Sequence, residues 1–187
     1  MRRVLMVLCL VLLLGACSST TSLLKLAPLQ SAEQVELKRY YGRWYVIANI
    51  PYRAELGKVG TYVEYLPRSD GDIDDLYFFR KGHFSAPLER WEGVAWVTDQ
   101  QSQARWKAQF IWPFRVDYLI LETAPDYSWA LVGHPGRDLA WVFSRTPELD
   151  PQLYDKLLEK LRERGYAPER LRRIPQRAEQ IGMPGFQ

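Results

Sequence analysis

Apolar and polar residues alternate along eight short segments between residues 43 and 145, and most of these segments end at a proline, glycine or aspartate. The fifth segment is the clearest, because Trp106, Ala108 and Phe110 share one face and the residues between them are polar. A period of two is typical of a half-buried β-strand. The predicted strands cover residues 43–51, 60–66, 73–81, 90–98, 105–110, 116–122, 127–132 and 139–145.

Eight short strands joined by turns of hairpin length are typical of a β-sandwich or an up-and-down β-barrel. The interior of an eight-stranded barrel is wide enough to hold one small ligand. Closure would also remove the exposed strand edges that promote aggregation. The strand pattern therefore predicts an all-β fold and leaves these two architectures open.

A four-residue apolar repeat follows the strands and predicts one amphipathic helix. Asp150 is a favourable N-cap, Pro151 occupies the first helical position, and Gly165 ends the pattern. The apolar stripe consists of Leu149, Leu153, Leu157 and Leu161. Because the stripe is narrow, it favours packing on the wall of a barrel over the alternative, a helix that lies on a membrane surface.

The first residues have the organisation of an export signal. Arg2 and Arg3 precede an apolar run from Val4 to Leu14, which is too short to span a bilayer, since a spanning helix needs about 20 apolar residues. The run leads through small residues to Cys17 and resembles the lipobox of bacterial lipoproteins. The resemblance implies cleavage before Cys17 and acylation of its thiol and of the new amino terminus. The alternative is an ordinary signal peptide with an incidental cysteine.

Ser18, rather than an aspartate, follows the predicted lipidation site. By resemblance to the sorting of Gram-negative lipoproteins, this favours lipid anchoring to the outer membrane, with the domain facing the periplasm. The predicted organisation is a signal peptide over residues 1–16, a lipidated cysteine and tether over 17–32, a folded domain over 33–175 and a C-terminal tail over 176–187. The tail is expected to end in disordered chain.

Composition excludes several classes of function. The formal net charge is +3, and Arg2 and Arg3 supply two of these charges, so the mature chain gives no reason to expect a nucleic-acid partner. Cys9 leaves with the signal peptide and Cys17 carries the lipid, so the folded domain has no thiol for a disulfide or a metal. Aromatic residues make up 13% of the chain, which suits both a core and the lining of an apolar pocket.

Three short motifs, in order, connect the strand pattern to a known family. Gly-Arg-Trp at residues 42–44 opens the first strand, Thr-Ala-Pro-Asp-Tyr at 123–127 leads into the seventh, and 136–147, which end in Ser-Arg-Thr-Pro, close the eighth. Together they resemble the lipocalin family, in the form found in bacterial outer-membrane lipocalins and their apolipoprotein-D-like relatives. The resemblance spans roughly residues 38–175, which is nearly the whole mature chain.

This resemblance implies an eight-stranded antiparallel up-and-down β-barrel with one C-terminal α-helix packed on it. It also implies that Trp44 plugs one end of the barrel and that Arg145 packs across the indole. Such a pair is structural rather than catalytic, because a guanidinium stacked on an indole contributes through a cation–π interaction. The alternative is that Arg145 binds a carboxylate of the ligand.

The resemblance further implies non-covalent binding of a fatty acid or a lysophospholipid in the barrel, for lipid transport, storage or outer-membrane maintenance. Strand alternation then predicts the cavity residues as Tyr77, Phe79, Trp106, Phe110, Tyr118, Ile120 and Trp141. Two alternatives remain open. One is a scaffold whose barrel is filled by its own side chains, and the other is a lipid-modifying enzyme that uses Tyr118 or Glu122 as an acid or base.

Catalytic and metal sites have few candidates. His83 and His134 have no carboxylate or cysteine at ligand spacing, and no glycine-rich phosphate loop follows a strand. The sequence therefore predicts no catalytic residue, no metal and no cofactor. An acidic run favours a solvated hairpin tip over a calcium loop, because it lacks the spacing of such a loop. This run comprises Asp70, Asp72, Asp74 and Asp75.

Charged and aromatic residues near the strand ends leave two alternatives open. Arg80, Lys81 and Arg90 are expected to be solubilising charges, with contact to a ligand carboxylate or phosphate as the alternative. Trp91 and Trp112 indicate a partner surface if they are exposed. A homodimer is therefore an alternative to a single barrel.

Overall fold

A computed structural model describes residues 26–187. The predicted signal peptide and the predicted lipidation site, Cys17, lie outside these residues. In the part of the chain that is described, no helix is both long enough and apolar enough to cross a membrane.

Eight antiparallel strands form a closed barrel, in which each strand pairs with its neighbours in sequence and the first also pairs with the eighth. The strands are β1 Gly42–Ile50, β2 Lys58–Pro67, β3 Ile73–Lys81, β4 Glu89–Val97, β5 Arg105–Ile111, β6 Phe114–Thr123, β7 Trp129–Gly133 and β8 Ala140–Ser144. The predicted all-β barrel is confirmed. No strand end differs from its predicted position by more than two residues.

The predicted helix lies on the outer wall of this barrel. A single helical turn, α1 Leu37–Tyr40, precedes β1, and the long helix is α2 Pro151–Glu163. Asp150 caps α2, because its carboxylate accepts the Leu153 N–H at 2.9 Å. Leu157 and Leu161 are fully buried against the wall, so the helix covers an apolar face of the sheet.

Two apolar cores follow from this arrangement. One fills the barrel interior around Trp44, Trp106 and Phe143. The other lies between α2 and the wall, around Ile47, Leu131 and other branched residues. All residues of β8 are buried, because one face of this strand points into the barrel and the other face is covered by the helix.

The C-terminal tail packs on the barrel, so the expectation of disorder was wrong. At its end, the Gln187 side-chain amide donates to the Asn49 side-chain oxygen at 2.7 Å, and the Gln187 N–H donates to the Arg173 carbonyl at 2.9 Å. Strand β9, Arg172–Arg173, pairs with β1 beyond the point where β1 stops pairing with β2. The Gly60 N–H donates to the Pro175 carbonyl at 2.7 Å. The Gln176 amide donates to backbone carbonyls of both β1 and β2, at 2.9 and 3.0 Å. The tail therefore fills the gap between two diverging strands and satisfies their free backbone groups.

The segment before α1 also packs along the barrel, although most of it was predicted to be a tether. Leu29 is buried, and the N–H groups of Ala32 and Val35 donate to carbonyls of the barrel, each at 2.8 Å. At its start, the Ala27 carbonyl accepts a hydrogen bond from Arg137 in the β7–β8 turn at 2.8 Å. The segment thus runs along the barrel from the end that holds this turn to the end that holds α1.

Candidate functional site

Trp44 closes one end of the barrel. Its side chain is fully buried, and the indole N–H donates to the Tyr40 carbonyl of α1 at 2.7 Å. The guanidinium carbon of Arg145 lies 3.6 Å from the centroid of the indole. We call this the closed end, and the opposite end, which holds the β1–β2 loop and the β5–β6 turn, the mouth.

Arg145 is held by backbone carbonyls rather than by a carboxylate. Its guanidinium donates to the carbonyls of Arg43 and Arg39, at 2.6 Å each, and to those of Tyr40 and Tyr41, at 3.1 Å each. Carbonyls at the end of a helix lack partners within the helix, so Arg145 satisfies the groups that α1 leaves free. These contacts engage the guanidinium and give no support to the alternative role of binding a ligand carboxylate.

A cavity of about 650 Å³ opens at the mouth and extends into the barrel. Its wall is mostly apolar and aromatic, with two side chains from the β1–β2 loop, Tyr52 and Glu55, at the entrance. The aromatic residues of the wall include Tyr65, Tyr77, Trp91, Tyr118, Trp141 and Phe143. A volume of this size and character is typical of a site for one small hydrophobic molecule.

The predicted cavity residues divide into two groups. Four of them line the cavity, namely Tyr77, Phe110, Tyr118 and Trp141. The other three, Phe79, Trp106 and Ile120, are buried in the interior core but do not line the cavity. All seven side chains thus lie on the side of their strands that faces the interior core or the cavity. Strand alternation carries no information about how deep the open space extends.

Packing explains why two of these residues lie outside the cavity wall. The ring of Trp106 meets the rings of Tyr40 and Tyr65 edge to face, with centroids 5.4 Å apart in both pairs. Phe79 packs in the same way against Trp91, at 4.9 Å. Aromatic pairs of this kind fill the space that an alternating pattern alone would leave to a ligand.

Three tyrosine hydroxyls form a small polar cluster inside the barrel. The Tyr118 hydroxyl lies 2.7 Å from that of Tyr40 and accepts the hydroxyl of Tyr65 at 2.9 Å. Burial raises the pKa of Tyr65 and of Tyr118 well above the ordinary value. The hydroxyls therefore stay neutral at physiological pH, and Tyr118 is poorly suited to act as a general base.

Glu122, the second predicted acid or base, lies outside the cavity. The pairing of β6 with β7 shifts register between Ile120 and Glu122, and such a bulge turns the following side chain to the other face. The carboxylate of Glu122 accepts hydrogen bonds from Lys160 and Arg164 of the α2 region, both at 2.7 Å. It therefore anchors the helix and cannot reach a ligand in the barrel.

Four carboxyl groups line the cavity, and two of them, those of Glu55 and Asp75, are buried. The sequence analysis assigned neither of these two to the cavity. Glu55 is 6% exposed, and its carboxylate accepts the side-chain amide of Asn49 at 3.1 Å, the Tyr52 N–H at 3.0 Å and the Trp141 indole N–H at 3.3 Å. Burial raises the pKa of Glu55 to about 6, against the opposing effect of these donors. Glu55 belongs to a loop with no periodic pattern, so strand alternation could not have identified it.

Asp75 corrects the prediction of a solvated acidic tip. Asp70, Asp72 and Asp74 remain on or next to the β2–β3 turn, whereas Asp75 is 4% exposed and lines the cavity. Burial, together with the negative charge of Glu55, raises the pKa of Asp75 to about 7. The signal was present in the sequence, because Asp75 precedes Tyr77 by two positions and therefore shares its inward face.

Lys58 is a third buried charged group that the sequence analysis did not identify. Its ammonium nitrogen lies 2.9 Å from the centroid of the Trp91 ring and 3.5 Å from that of Phe79. Burial lowers the pKa of Lys58 to about 8. The nitrogen has no hydrogen-bond partner and does not line the cavity, so the aromatic rings are its main contacts.

The basic residues predicted near the strand ends contact other parts of the protein. Arg80 donates to the Ala86 carbonyl at 2.6 Å, and Lys81 forms an ion pair with Glu89 at 2.8 Å. Arg90 pairs with Glu92, and of the three it alone lines the cavity. Over residues 26–187, no three side chains of the His, Cys, Asp and Glu types come together in a way that could hold a metal ion.

The β5–β6 turn exposes a cluster of large apolar side chains at the mouth. Trp112 is 83% exposed, Phe114 71% and Ile111 69%. Phe110, Ile111 and Phe114 also line the cavity, so the exposed cluster, residues 110–114, is continuous with the entrance. We call it the β5–β6 tip. Exposed apolar patches of this kind commonly mark a protein or membrane contact.

Comparison with known proteins agrees with this geometry. Residues 35–176 match the family model described as a lipocalin-like domain. The chain is 31% identical to the outer membrane lipoprotein Blc of Vibrio cholerae, over 91% of this chain and 96% of the relative. It is also 34% identical to temperature-induced lipocalin-1 of Arabidopsis thaliana, over 76% of this chain and 80% of the relative.

Solved structures share the same fold at lower sequence identity. Insecticyanin from the tobacco hornworm Manduca sexta superposes with a TM-score of 0.64 at 16% identity, covering 87% of this chain and 92% of that chain. Apocrustacyanin C2 superposes with a TM-score of 0.61 at 18% identity, covering 77% and 81% of the respective chains. These similarities concern the architecture of the barrel.

Proposed function

This chain belongs to the lipocalin family, and from that premise we propose that it binds a single-chain lipid, a fatty acid or a lysophospholipid, in the barrel cavity. The observation that carries the proposal is the cavity of about 650 Å³ with its mostly apolar, aromatic wall. The biological role would be lipid transport, storage or maintenance of the outer membrane.

The expected affinity is adequate for such a role. Each methylene group removed from water contributes about 0.8 kcal/mol, so a chain of about 16 carbons contributes roughly 12 kcal/mol. An ordering cost of about 4 kcal/mol, at the low end of the usual range, leaves about 8 kcal/mol. A dissociation constant of about 1 μM corresponds to about 8 kcal/mol. Burial of the chain alone can therefore support micromolar binding.

The two alternative functions have less support. A scaffold with a filled barrel would leave no space of this volume beside Tyr65, Tyr118 and Phe143. An enzyme would need an acid or base in the cavity. Neither residue predicted from the sequence fits this role, because Glu122 is bonded to the helix outside the barrel and burial strongly raises the pKa of Tyr118. An enzyme would have to use Glu55 or Asp75, the two buried carboxyl groups of the cavity.

A substitution that fills the cavity tests the proposal. Ala108 is buried on β5 and lines the cavity, so the indole of Ala108→Trp would occupy the ligand's space. We expect this variant to lose uptake of a fluorescent fatty acid by at least about tenfold, since it removes several methylene contacts.

The measurement is a fluorescence titration of residues 17–187 carrying Cys17→Ser, which we call the unanchored chain. Ala54→Ser is the control, because Ala54 is exposed at the mouth and a serine there does not fill the cavity. Ala104→Trp would not serve as a control, because Ala104 is fully buried. The Ala54→Ser variant should bind as the parent does. Undiminished uptake by a folded Ala108→Trp protein would contradict a ligand site in the barrel.

We further propose that the protein is anchored to the outer membrane by acylated Cys17 and faces the periplasm. The lipobox-like sequence before Cys17 supports this, as does the relative named as an outer membrane lipoprotein in Vibrio cholerae. Ala27 lies at the mouth end, where Arg137 binds its carbonyl. Nine positions separate Cys17 from Leu26, and nine residues reach at most about 30 Å.

This tether length would place the mouth of the barrel near the membrane surface. The β5–β6 tip at the same end exposes Trp112 and Phe114, and aromatic residues of this kind favour the interface of a bilayer. A mouth that touches the bilayer would let a lipid pass between membrane and cavity with little exposure to water. A homodimer formed through the same tip is the alternative.

The tip can be tested with Trp112→Ser in the unanchored chain. We expect its affinity for phospholipid vesicles to fall by about tenfold, because a large exposed apolar side chain no longer enters the interface. Leu66→Ser is the matched control, since Leu66 is 41% exposed at the closed end, and this change should not alter vesicle binding. Equal vesicle binding by both variants, or a dimer that dissociates only in Trp112→Ser, would refute membrane contact by the tip.

A further inference from the structure

Asp75 is a buried acid that faces the cavity without a protein partner. It is 4% exposed and lines the cavity. Within residues 26–187 its carboxylate makes neither a hydrogen bond nor an ion pair, whereas the equally buried Glu55 accepts three hydrogen bonds. Buried carboxylates are costly unless a donor or a cation compensates them, so the missing partner of Asp75 requires an explanation.

The cations near the cavity are engaged elsewhere. Arg90 pairs with Glu92, and Lys107 pairs with Asp117 at 2.8 Å. The ammonium of Lys58 rests on aromatic rings outside the cavity wall. In the described part of the chain, no ammonium or guanidinium group lies within ion-pair distance of Asp75. The charge of Lys58 acts on Glu55, whose pKa it lowers, so the negative charge of Asp75 is left for a ligand to balance.

The surroundings of Asp75 suit a positively charged group. Tyr65 and Tyr77 are neighbours of Asp75 in the cavity wall. Tyr65 lies opposite Asp75 on β2, and Tyr77 follows Asp75 by two positions on β3. The Tyr77 hydroxyl is buried next to that of Thr61. Aromatic rings attract cations through their faces, and this attraction is strongest where water is excluded.

We propose that Asp75, with Tyr65 and Tyr77, forms a subsite inside the cavity for a positively charged amine or quaternary ammonium group of the bound amphiphile. The inference rests on the proposed ligand-binding function and adds the chemical class of the ligand's polar group. An anionic group in the same place would meet both Asp75 and Glu55, so a fatty acid could bind only with its carboxylate held away from this subsite.

The other titratable groups near Asp75 do not remove the preference of the subsite for a positively charged group. They are Glu55 and Tyr52 of the β1–β2 loop, Tyr65 of β2, Tyr77 of β3 itself and Tyr40 of α1. Burial raises the pKa of each tyrosine above the ordinary value, so all four remain neutral. On β4, the residue opposite Asp75 is Gly93, which carries no charge.

The test compares three probes that share one alkyl chain: dodecyltrimethylammonium, dodecanoate and dodecanol, each kept below its micelle concentration. The barrel, the helix and both cores lie within residues 26–187, so the unanchored chain is a suitable sample for calorimetric titration. At about pH 8, where both acids are mostly ionised, we expect the ammonium probe to bind at least about tenfold more tightly than dodecanoate.

The Asp75→Asn variant should lose this preference and bind the ammonium probe and dodecanoate with similar affinity, because the amide carries no charge. Asp74→Asn is the matched control, because Asp74 directly precedes Asp75 on the same strand, is partly exposed and pairs with Arg68 at 3.1 Å. This variant should keep the preference for the ammonium probe. Binding of the ammonium probe should also weaken from about pH 8 to about pH 6, as Asp75 takes up a proton.

Each outcome separates this inference from the proposed function. If dodecanoate or dodecanol binds as tightly as the ammonium probe, or if folded Asp75→Asn keeps the preference, the cationic subsite is refuted and lipid binding stands. If none of the three probes binds, the proposed function fails and the subsite fails with it.

Discussion

Replacement of Trp44 by alanine is expected to lower the free energy of unfolding by about 3 to 5 kcal/mol, the usual cost of removing a large aromatic side chain from a core. Trp44 is fully buried, and its ring is stacked with that of Phe143 at a centroid distance of 6.4 Å. The change would also remove the surface on which Arg145 rests and the indole hydrogen bond to Tyr40.

The measurement is urea unfolding of the unanchored chain and its variants. Trp112→Ala is the matched control, because it removes the same side chain from a position that is 83% exposed and should change stability by less than about 0.5 kcal/mol. If Trp44→Ala were as stable as this control, the indole would not be an essential part of the closed end.

Replacement of Cys17 by serine is expected to transfer nearly all of the protein from the membrane fraction to the soluble periplasm. Each buried methylene of an acyl chain contributes about 0.8 kcal/mol, and two chains are enough for stable attachment. Without them, only the weak and reversible contact proposed for the β5–β6 tip would remain, and a salt and carbonate wash would remove the protein.

Cys9→Ser is the matched control for the anchor, because Cys9 lies in the predicted signal peptide and should not affect attachment. The measurement is fractionation of cells that express each full-length variant, followed by immunoblotting. Retention of Cys17→Ser in the washed membrane pellet would contradict anchoring through this residue.

The local sequence was sufficient to predict the eight strands and the helix, because alternation, turns and caps all act locally, but it left a β-sandwich and a β-barrel open. The strand predicted over residues 73–81 is β3, with the same ends, and Asp150 caps α2 through its own side chain. The three motifs supplied the family. Such features depend on neighbouring residues, so a single sequence contains them in full.

Features that depend on distant parts of the chain could not be predicted in this way. The bulge before Glu122 turns that side chain to the other face of the strand, and the local sequence does not predict the bulge. The order in the C-terminal tail arises because β1 and β2 diverge and leave backbone groups that Gln176 and β9 can bind. Both are consequences of strand packing across the closed barrel.

The candidate site was predicted only in part, for a similar reason. Tyr77, Tyr118 and Trp141 line the cavity, but the depth of the cavity depends on how the aromatic rings fill the closed end. Asp75 was assigned to an acidic turn by its neighbours in sequence, although the alternation of β3 already placed it on the inward face. Glu55 reaches the cavity from a loop, and no sequence pattern predicts which way the side chain of a loop residue points.

Native mass spectrometry of the unanchored chain, purified from cells without detergent, tests the central claim most directly. We expect a mass increase equal to one small lipid per chain, a free lipid of the same mass after organic extraction, and neither signal in Ala108→Trp. A parent protein that carries no lipid, and still carries none after incubation with fatty acids, lysophospholipids and alkyl ammonium probes, would contradict the proposal that the barrel is a lipid-binding site.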